Sequence, residues 1–237
     1  MHRQRREILW DWMRSGAPYP VRRWLKQRGW FNTVAHALFG TTVYSRSYYD
    51  AIERIEGPSV DVIGEWIVGH LRPRRAVDVG CGPGHQMAAL ASRGVQVYGV
   101  DISDAALQKV KEKGLPADRF DLTGPDPLPG GPYDVAVCCE VAEHLPAAHA
   151  PVLVRRLASA APLVFLTAAE HDPEVGPGLM HLNEQPNGYW IDLMLAETGA
   201  TLDEPLTTAA RRAFADAGVI KYLAKPMIFR RSGAAAP

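Results

Sequence analysis

Three cysteines, Cys81, Cys138 and Cys139, are all this chain of 237 residues carries. An odd count with no regular spacing excludes a disulfide framework and fits free thiols in a reducing compartment. No apolar run approaches the ~20 residues of a membrane span. The N-terminus has basic residues but no apolar stretch behind them. No signal peptide is therefore expected, and the expected location is cytoplasmic. Net charge is absent too: 26 Lys and Arg stand against 26 Asp and Glu. No global field then draws the whole molecule to nucleic acid. Internal repeats are also missing.

What is present is an ordinary globular composition, 47% hydrophobic, at a length suited to one α/β domain plus an appendage. The zero net charge hides an asymmetry. Residues 1–46 hold nine Arg and Lys against Glu7 and Asp11. That surplus of seven leaves an equal negative excess in the remainder.

The chain is organised around Val77-Asp78-Val79-Gly80-Cys81-Gly82-Pro83-Gly84-His85. Ala76–Val79 reads as a short buried strand, and Gln86–Arg93 as a helix ended by Gly94. Strand, glycine turn and helix together bring backbone close to a ligand. The spacing is G-x-G-x-G, and His85 stands where a dinucleotide fingerprint places its third glycine. Three further signals follow in order. A strand over 95–100 ends in Asp101, placed to accept hydrogen bonds from two ribose hydroxyls. Then come a strand over 119–122, containing Asp121, and an apolar strand over 134–139 that leads to Glu140.

In these four strand ends the chain resembles a class I S-adenosylmethionine-dependent methyltransferase, over roughly residues 60–231. The resemblance implies a doubly wound, seven-stranded, mostly parallel sheet with an antiparallel last strand. It implies three regions: a helical arm or lid over 1–57, the S-adenosylmethionine-binding domain over 58–231, and a disordered tail over 232–237. It also implies cofactor roles. Gly80, Cys81, Gly82 and Gly84 bring backbone to the methionine portion, and Asp78 orients the turn and the amino group. Asp101 takes the ribose diol, Ile102 packs on adenine, and Asp121 with Leu122 meets the adenine edge. Glu140 and Val141 lie near the reactive methyl. Asp101 as a helix N-terminal acid and Asp121 as a loop cap are the structural alternatives.

In the arm, apolar residues recur at helical spacing over 7–14 and 21–39, including Trp24, Leu25, Trp30 and Leu38. Tyr44–Ile55 forms a further expected helix, closed by Gly57-Pro58, and 60–71 another. The arm serves as a lid or packs on the sheet, with dimer contact and a membrane or nucleic-acid surface as alternatives. Tyr48 and Tyr49 are its candidates for touching the acceptor. A long loop over 168–185 and the helix after it offer His171, His181, Tyr189 and Trp190, which suit a small aromatic or hydroxylated acceptor. Exposed loop histidines are the alternative for His171 and His181.

His144 and His181 are the candidate general bases, imidazoles being suited to proton transfer near neutral pH. If 144–160 is helical from the end of the fourth strand, Glu140, Glu143 and His144 share one face. That spacing resembles the metal-binding segment of ubiquinone-biosynthesis O-methyltransferases and small-RNA 2′-O-methyltransferases. A divalent ion there, completed by His181 or His171, would lower the acceptor's pKa. A metal-free base at His144, with Glu143 exposed, is the competing arrangement, and a helix N-terminus outside the pocket is the third. No metal is expected. The expected activity is methylation, chiefly O-methylation, of a small molecule of specialised metabolism by a monomer or homodimer. The rivals are a nucleic-acid methyltransferase that uses the basic arm, and a non-catalytic S-adenosylmethionine-binding partner protein.

Overall fold

The computed structural model of the protein describes residues 32, 34, 43–172, 178 and 180–231. The expected helices over 7–14 and 21–39, apart from positions 32 and 34, and the expected tail lie outside the described residues.

The strands are β1 (Arg75–Val79), β2 (Gln96–Asp101), β3 (Ala117–Arg119), β4 (Val135–Cys139), β5 (Leu163–Thr167), β6 (Thr201–Leu202) and β7 (Met227–Arg230). The helices are α1 (Arg46–Leu71), α2 (His85–Ala91), α3 (Asp104–Glu112), α4 (Ala150–Ala160), α5 (Asn187–Thr198) and α6 (Glu204–Asp216). The sheet order is β3-β2-β1-β4-β5-β7-β6. Pairing is parallel from β3 through β5, and β7 runs antiparallel to both neighbours. This is the doubly wound, seven-stranded, mostly parallel arrangement. Strand order reverses between β1 and β4, and such a crevice at the strands' carboxyl ends is where α/β sheets bind ligands.

Alternation along the strands builds two cores. Val77, Val79, Ala136, Cys138, Val164, Leu166 and Phe229 face α4 and α5. Ala76, Val135, Val137, Phe165 and Ile228 face α1, α2 and α6, where Trp66, Phe165 and Phe214 meet as an aromatic group. Burial on both faces explains why the central strands read as continuous apolar runs.

Several expectations are corrected. The break at Gly57-Pro58 does not occur, because α1 runs unbroken through both residues. Proline inside a helix costs ~3 kcal/mol. Tertiary contacts outweigh it on either side. Ile63, Trp66 and Ile67 are buried against the sheet. The amino-terminal half is held by Lys109 to Asp50 and Glu53, by Lys113 and His85 to Glu53, and by Tyr222 to Glu56.

The third strand is short and ends at Arg119, so Phe120 and Asp121 lie beyond it. The helix expected over 144–160 begins only at Ala150. Before it come two 3₁₀ turns, Ala142–His144 and Ala147–His149. Leu145 is extended (φ −87°, ψ 142°). It precedes Pro146, whose ring disfavours helical backbone at that position. Glu140, at φ 56°, lies outside any helix. The proposed helical face of Glu140, Glu143 and His144 therefore does not form.

Candidate active site

One cavity of about 740 Å³ opens at the carboxyl ends of β1, β2 and β4, with the amino-terminal half of α1 along its wall. At one end lies the glycine turn. Gly80 has φ 73°, and a Cβ there would come within 2.4 Å of Val141 Cγ2. Only glycine permits both that backbone and that approach. The Gly80 and Cys81 amides donate to Val100 carbonyl oxygen at 2.8 and 3.0 Å. This ties the turn to the end of β2.

Asp101 closes the next strand. Its Oδ2 accepts from Gly82 N–H at 2.8 Å and its Oδ1 from Ser103 N–H at 2.8 Å. A carboxylate has about four acceptor directions, so these two donors do not exhaust it and acceptor capacity remains for a ligand hydroxyl. Burial raises the Asp101 pKa, and those backbone donors pull against the rise. Asp78 sits deeper, with its Oδ2 buried and unpartnered. Burial, with the Asp101 charge second, pushes its carboxyl up to about 7. Gln86, near the start of α2, also lines the cavity and has a buried Nε2 without a partner. An orphaned acid and an orphaned amide in one cavity fit the ammonium and carboxylate of an amino-acid moiety.

Ile102, Asp121 and Leu122 line the cavity as well. Asp121 Oδ1 also accepts from Thr123 N–H at 2.8 Å and Thr123 Oγ at 2.6 Å. It caps its own turn, the local role set against adenine contact, while still bordering the cavity. Gly84 is not among the lining residues; at φ 80° it forms the N-cap of α2.

The other end is assembled from four segments. Tyr44, Tyr48 and Tyr49 come from the start of α1 and the residues before it, and Tyr44 Oη lies 3.3 Å from His144 Nδ1. Glu140, Glu143, His144 and His149 follow β4, His181 follows β5, and Tyr222 and Leu223 precede β7. His144 Nδ1 is 3.2 Å from Met180 carbonyl oxygen, and its ring meets His181 edge to face at 4.6 Å between centroids. Glu56 accepts from Tyr222 Oη at 2.8 Å, and burial raises the Glu56 pKa against that hydrogen bond.

Glu143 is 1% exposed and neither of its carboxylate oxygens has a hydrogen-bond partner. It is therefore not the exposed helix residue that the metal-free arrangement supposed. Burial raises its pKa, and burial with the Glu143 charge raises that of Glu140 well above the usual range. Glu143, His144 and His181 offer ligand atoms within 4.8 Å of one another. Among the described residues they are the set that could take a divalent ion, and Glu140 is not in it.

Three acceptor candidates are corrected. Trp190 is fully buried. It fills the core with Met194 one turn on, while Tyr189 packs against that core beside it. A Trp removes 150–250 Å² from water, so α5 turns it to the sheet. His171 lies outside the cavity with its ring half exposed, paired to Glu184 at 3.2 Å. Sequence reasoning missed Tyr44, Glu56, Gln86, Tyr222 and Glu184. Only Gln86 left a trace, as a polar residue at the start of the helix behind the glycine turn.

Comparison with known proteins bears on the family and the fold. The profile of a family described as a methyltransferase domain matches residues 51–210. The chain is similar to the ubiquinone biosynthesis O-methyltransferase of Marinobacter nauticus, 39% identical over 84 residues, 32% of this chain and 35% of that protein. It is similar to the magnesium-protoporphyrin O-methyltransferase of Synechocystis, 32% identical over 110 residues, 44% and 48% of the two chains. The chain thus spans between about a third and a half of the length of the curated relatives it matches. Among solved structures, human N-acetylserotonin methyltransferase superposes with TM-score 0.61 at 14% identity, covering 95% of this chain and 70% of that one. Magnesium protoporphyrin IX methyltransferase from Synechocystis does so with TM-score 0.52 at 22% identity, covering 95% and 99%.

Proposed function

The chain belongs to the methyltransferase-domain family, and we propose that it methylates a hydroxyl group of a small organic acceptor, with S-adenosylmethionine as the methyl donor. The observation that carries this reading is the single cavity that runs from the glycine turn and Asp101 to His144 and His181. It joins groups suited to a nucleoside and an amino acid to groups suited to proton transfer. We assign the donor's ribose to Asp101, its adenine pocket to Ile102, Asp121 and Leu122, and its methionine end to Asp78, Gln86 and the turn at Gly80–Gly82. The donor supplies a methyl group already activated on a sulfonium.

The protein's part is then to hold the acceptor, exclude water and take its proton. Tyr44, Tyr48 and Tyr49 wall the acceptor end, while Glu140 and Val141 border the transfer position. His144 and His181 are the two imidazoles placed to take that proton. Glu56, Glu140 and Glu143 line this end, and no Lys or Arg does among the described residues. That wall favours a neutral hydroxyl over an anionic acceptor. Specialised metabolism, as a source of small hydroxylated molecules, fits such a cavity. We read residues 1–57 as a lid over the catalytic domain, with the boundary inside α1.

Calorimetry with S-adenosylhomocysteine, followed by mass spectrometry of phenols and catechols incubated with S-adenosylmethionine, tests the proposal. We expect binding and the gain of one methyl group. Failure to bind S-adenosylhomocysteine overturns the reading. The Glu143, His144 and His181 set supports a second arrangement, in which a divalent ion activates the hydroxyl. Activity lost in chelator and restored by Mg²⁺ or Mn²⁺ selects it.

A further inference from the structure

We infer that Glu184 is a positioning residue that fixes the tautomer and orientation of His181, making His181 Nε2 the base that takes the acceptor's proton. The inference rests on the methyltransferase reading above. Glu184 does not line the cavity, whereas His181 does. The Glu184 side chain is 8% exposed. Its Oε1 accepts from Gly178 N–H at 2.6 Å and lies 2.6 Å from His181 Nδ1. A carboxylate only accepts, so the proton between them belongs to Nδ1. The nitrogen left to carry a lone pair is Nε2.

Three further restraints hold the ring. A Cβ on Gly178 would lie 2.2 Å from His181 Cε1 and 2.3 Å from Nδ1, so the ring lies flush on glycine backbone. The buried Asn32 clasps the same loop. Its Nδ2 donates to the carbonyls of Gly178 and His181 at 2.8 and 2.9 Å, and its Oδ1 accepts from Met180 N–H at 3.1 Å. From the other side, Glu143 carbonyl oxygen accepts from Leu182 and Asn183 N–H at 2.7 and 2.9 Å.

A carboxylate behind the base stabilises the imidazolium that forms. In the transfer, the acceptor O–H proton passes to His181 Nε2. The oxygen keeps that electron pair for its new bond to carbon, and the pair of the broken carbon–sulfur bond stays on sulfur. Glu184 holds its negative charge opposite the new imidazolium.

The test is two-bond proton–nitrogen correlation spectroscopy of ¹⁵N-histidine-labelled full chain at pH 8 in EDTA, with S-adenosylhomocysteine present. His181→Gln identifies the signal. We expect His181 protonated at Nδ1 and bare at Nε2 in the wild type. In Glu184→Leu we expect an Nε2–H population to appear. Should that variant not fold, Gly178→Ala is expected to give the same change by displacing the ring. A wild-type His181 carrying its proton on Nε2 overturns the inference, as does a tautomer unchanged in a folded Glu184→Leu. Calorimetry on the same wild-type sample separates the two claims. Absent S-adenosylhomocysteine binding refutes the methyltransferase reading, whatever the tautomer.

Discussion

The two ends of the cavity are built differently. The end around Asp101 is local and held by backbone: Ser103 and Gly82, two and nineteen positions away, both donate main-chain N–H groups to it. The end around His181 is held by side chains across the chain: Asn32 reaches it over 149 positions, and Tyr44 reaches His144 over 100. Main-chain donors at strand ends come with the fold and survive most substitutions. A site held by side chains is set one residue at a time. The first arrangement suits a donor with fixed chemistry, and the second allows the acceptor end to be rebuilt on the same sheet.

The largest expected effect falls at the acceptor end. His181→Ala is predicted to lower kcat by roughly 10²–10⁴, the usual worth of a general base. S-adenosylhomocysteine affinity should hold, by steady-state kinetics on an acceptor from the screen and by calorimetry. A parallel loss of affinity would mean that the two ends are one coupled unit.

Asp78 probes the donor end from the stability side. Its carboxyl ionises near 7 in the folded chain, because of burial first and Asp101 second. In the unfolded chain it ionises near ~4. With the folded value raised, its favourable contribution is fully present below ~4 and is lost as pH rises through 7. Asp78→Asn should therefore stabilise the ligand-free protein at pH 8 by about 2–4 kcal/mol, with the difference vanishing near pH 4. Thermal denaturation at both values checks this, and the variant should bind S-adenosylhomocysteine more weakly. A variant no more stable at pH 8 would show that the acid is not strained without its ligand.

Asp101→Ala is expected to cost about 1–3 kcal/mol of S-adenosylhomocysteine affinity by calorimetry, through the loss of charge-assisted hydrogen bonds. An undiminished affinity would detach Asp101 from the donor. The smallest effect is expected where α1 is clasped to the glycine turn. Glu53 pairs with His85, Lys109 and Lys113, and although burial opposes it, the lysine hydrogen bonds hold its pKa down to about 2. Glu53 keeps 22% of its side chain exposed, so water and salt partly screen the pairs, and Glu53→Gln should cost about 1 kcal/mol in denaturant titrations, and less in high salt. A cost that salt leaves unchanged would point to packing instead of charge.

From the sequence by itself came the first strands, the glycine turn and the chain of strand-end acids, read from short-range patterns: apolar runs of strand length, alternate glycines, and acids at the ends of β1, β2 and β4. The full seven-stranded sheet and its reversed last strand were what the family resemblance of those patterns implied. Asp78, Gly80 and Asp101 were legible because each touches its neighbours in the chain. Only the tertiary structure decided the acceptor end. Glu140, Glu143 and His144 looked like one helical face, but Glu140 takes a positive φ outside any helix and Pro146 holds Leu145 extended, so the helix starts only at Ala150. Trp190 looked like a ligand contact, and the free energy of burying its ring placed it in the core. Gly57-Pro58 looked like a helix end, and contacts from α3, β5 and Tyr222 carried the helix across it. In the sequence His181 was a candidate base and His171 an acceptor contact; both pair with Glu184, but only His181 lines the cavity, against Gly178 and under Asn32. Spacing in a sequence encodes neighbours within a turn or two; which side chains meet across 149 positions is fixed by how the layers pack.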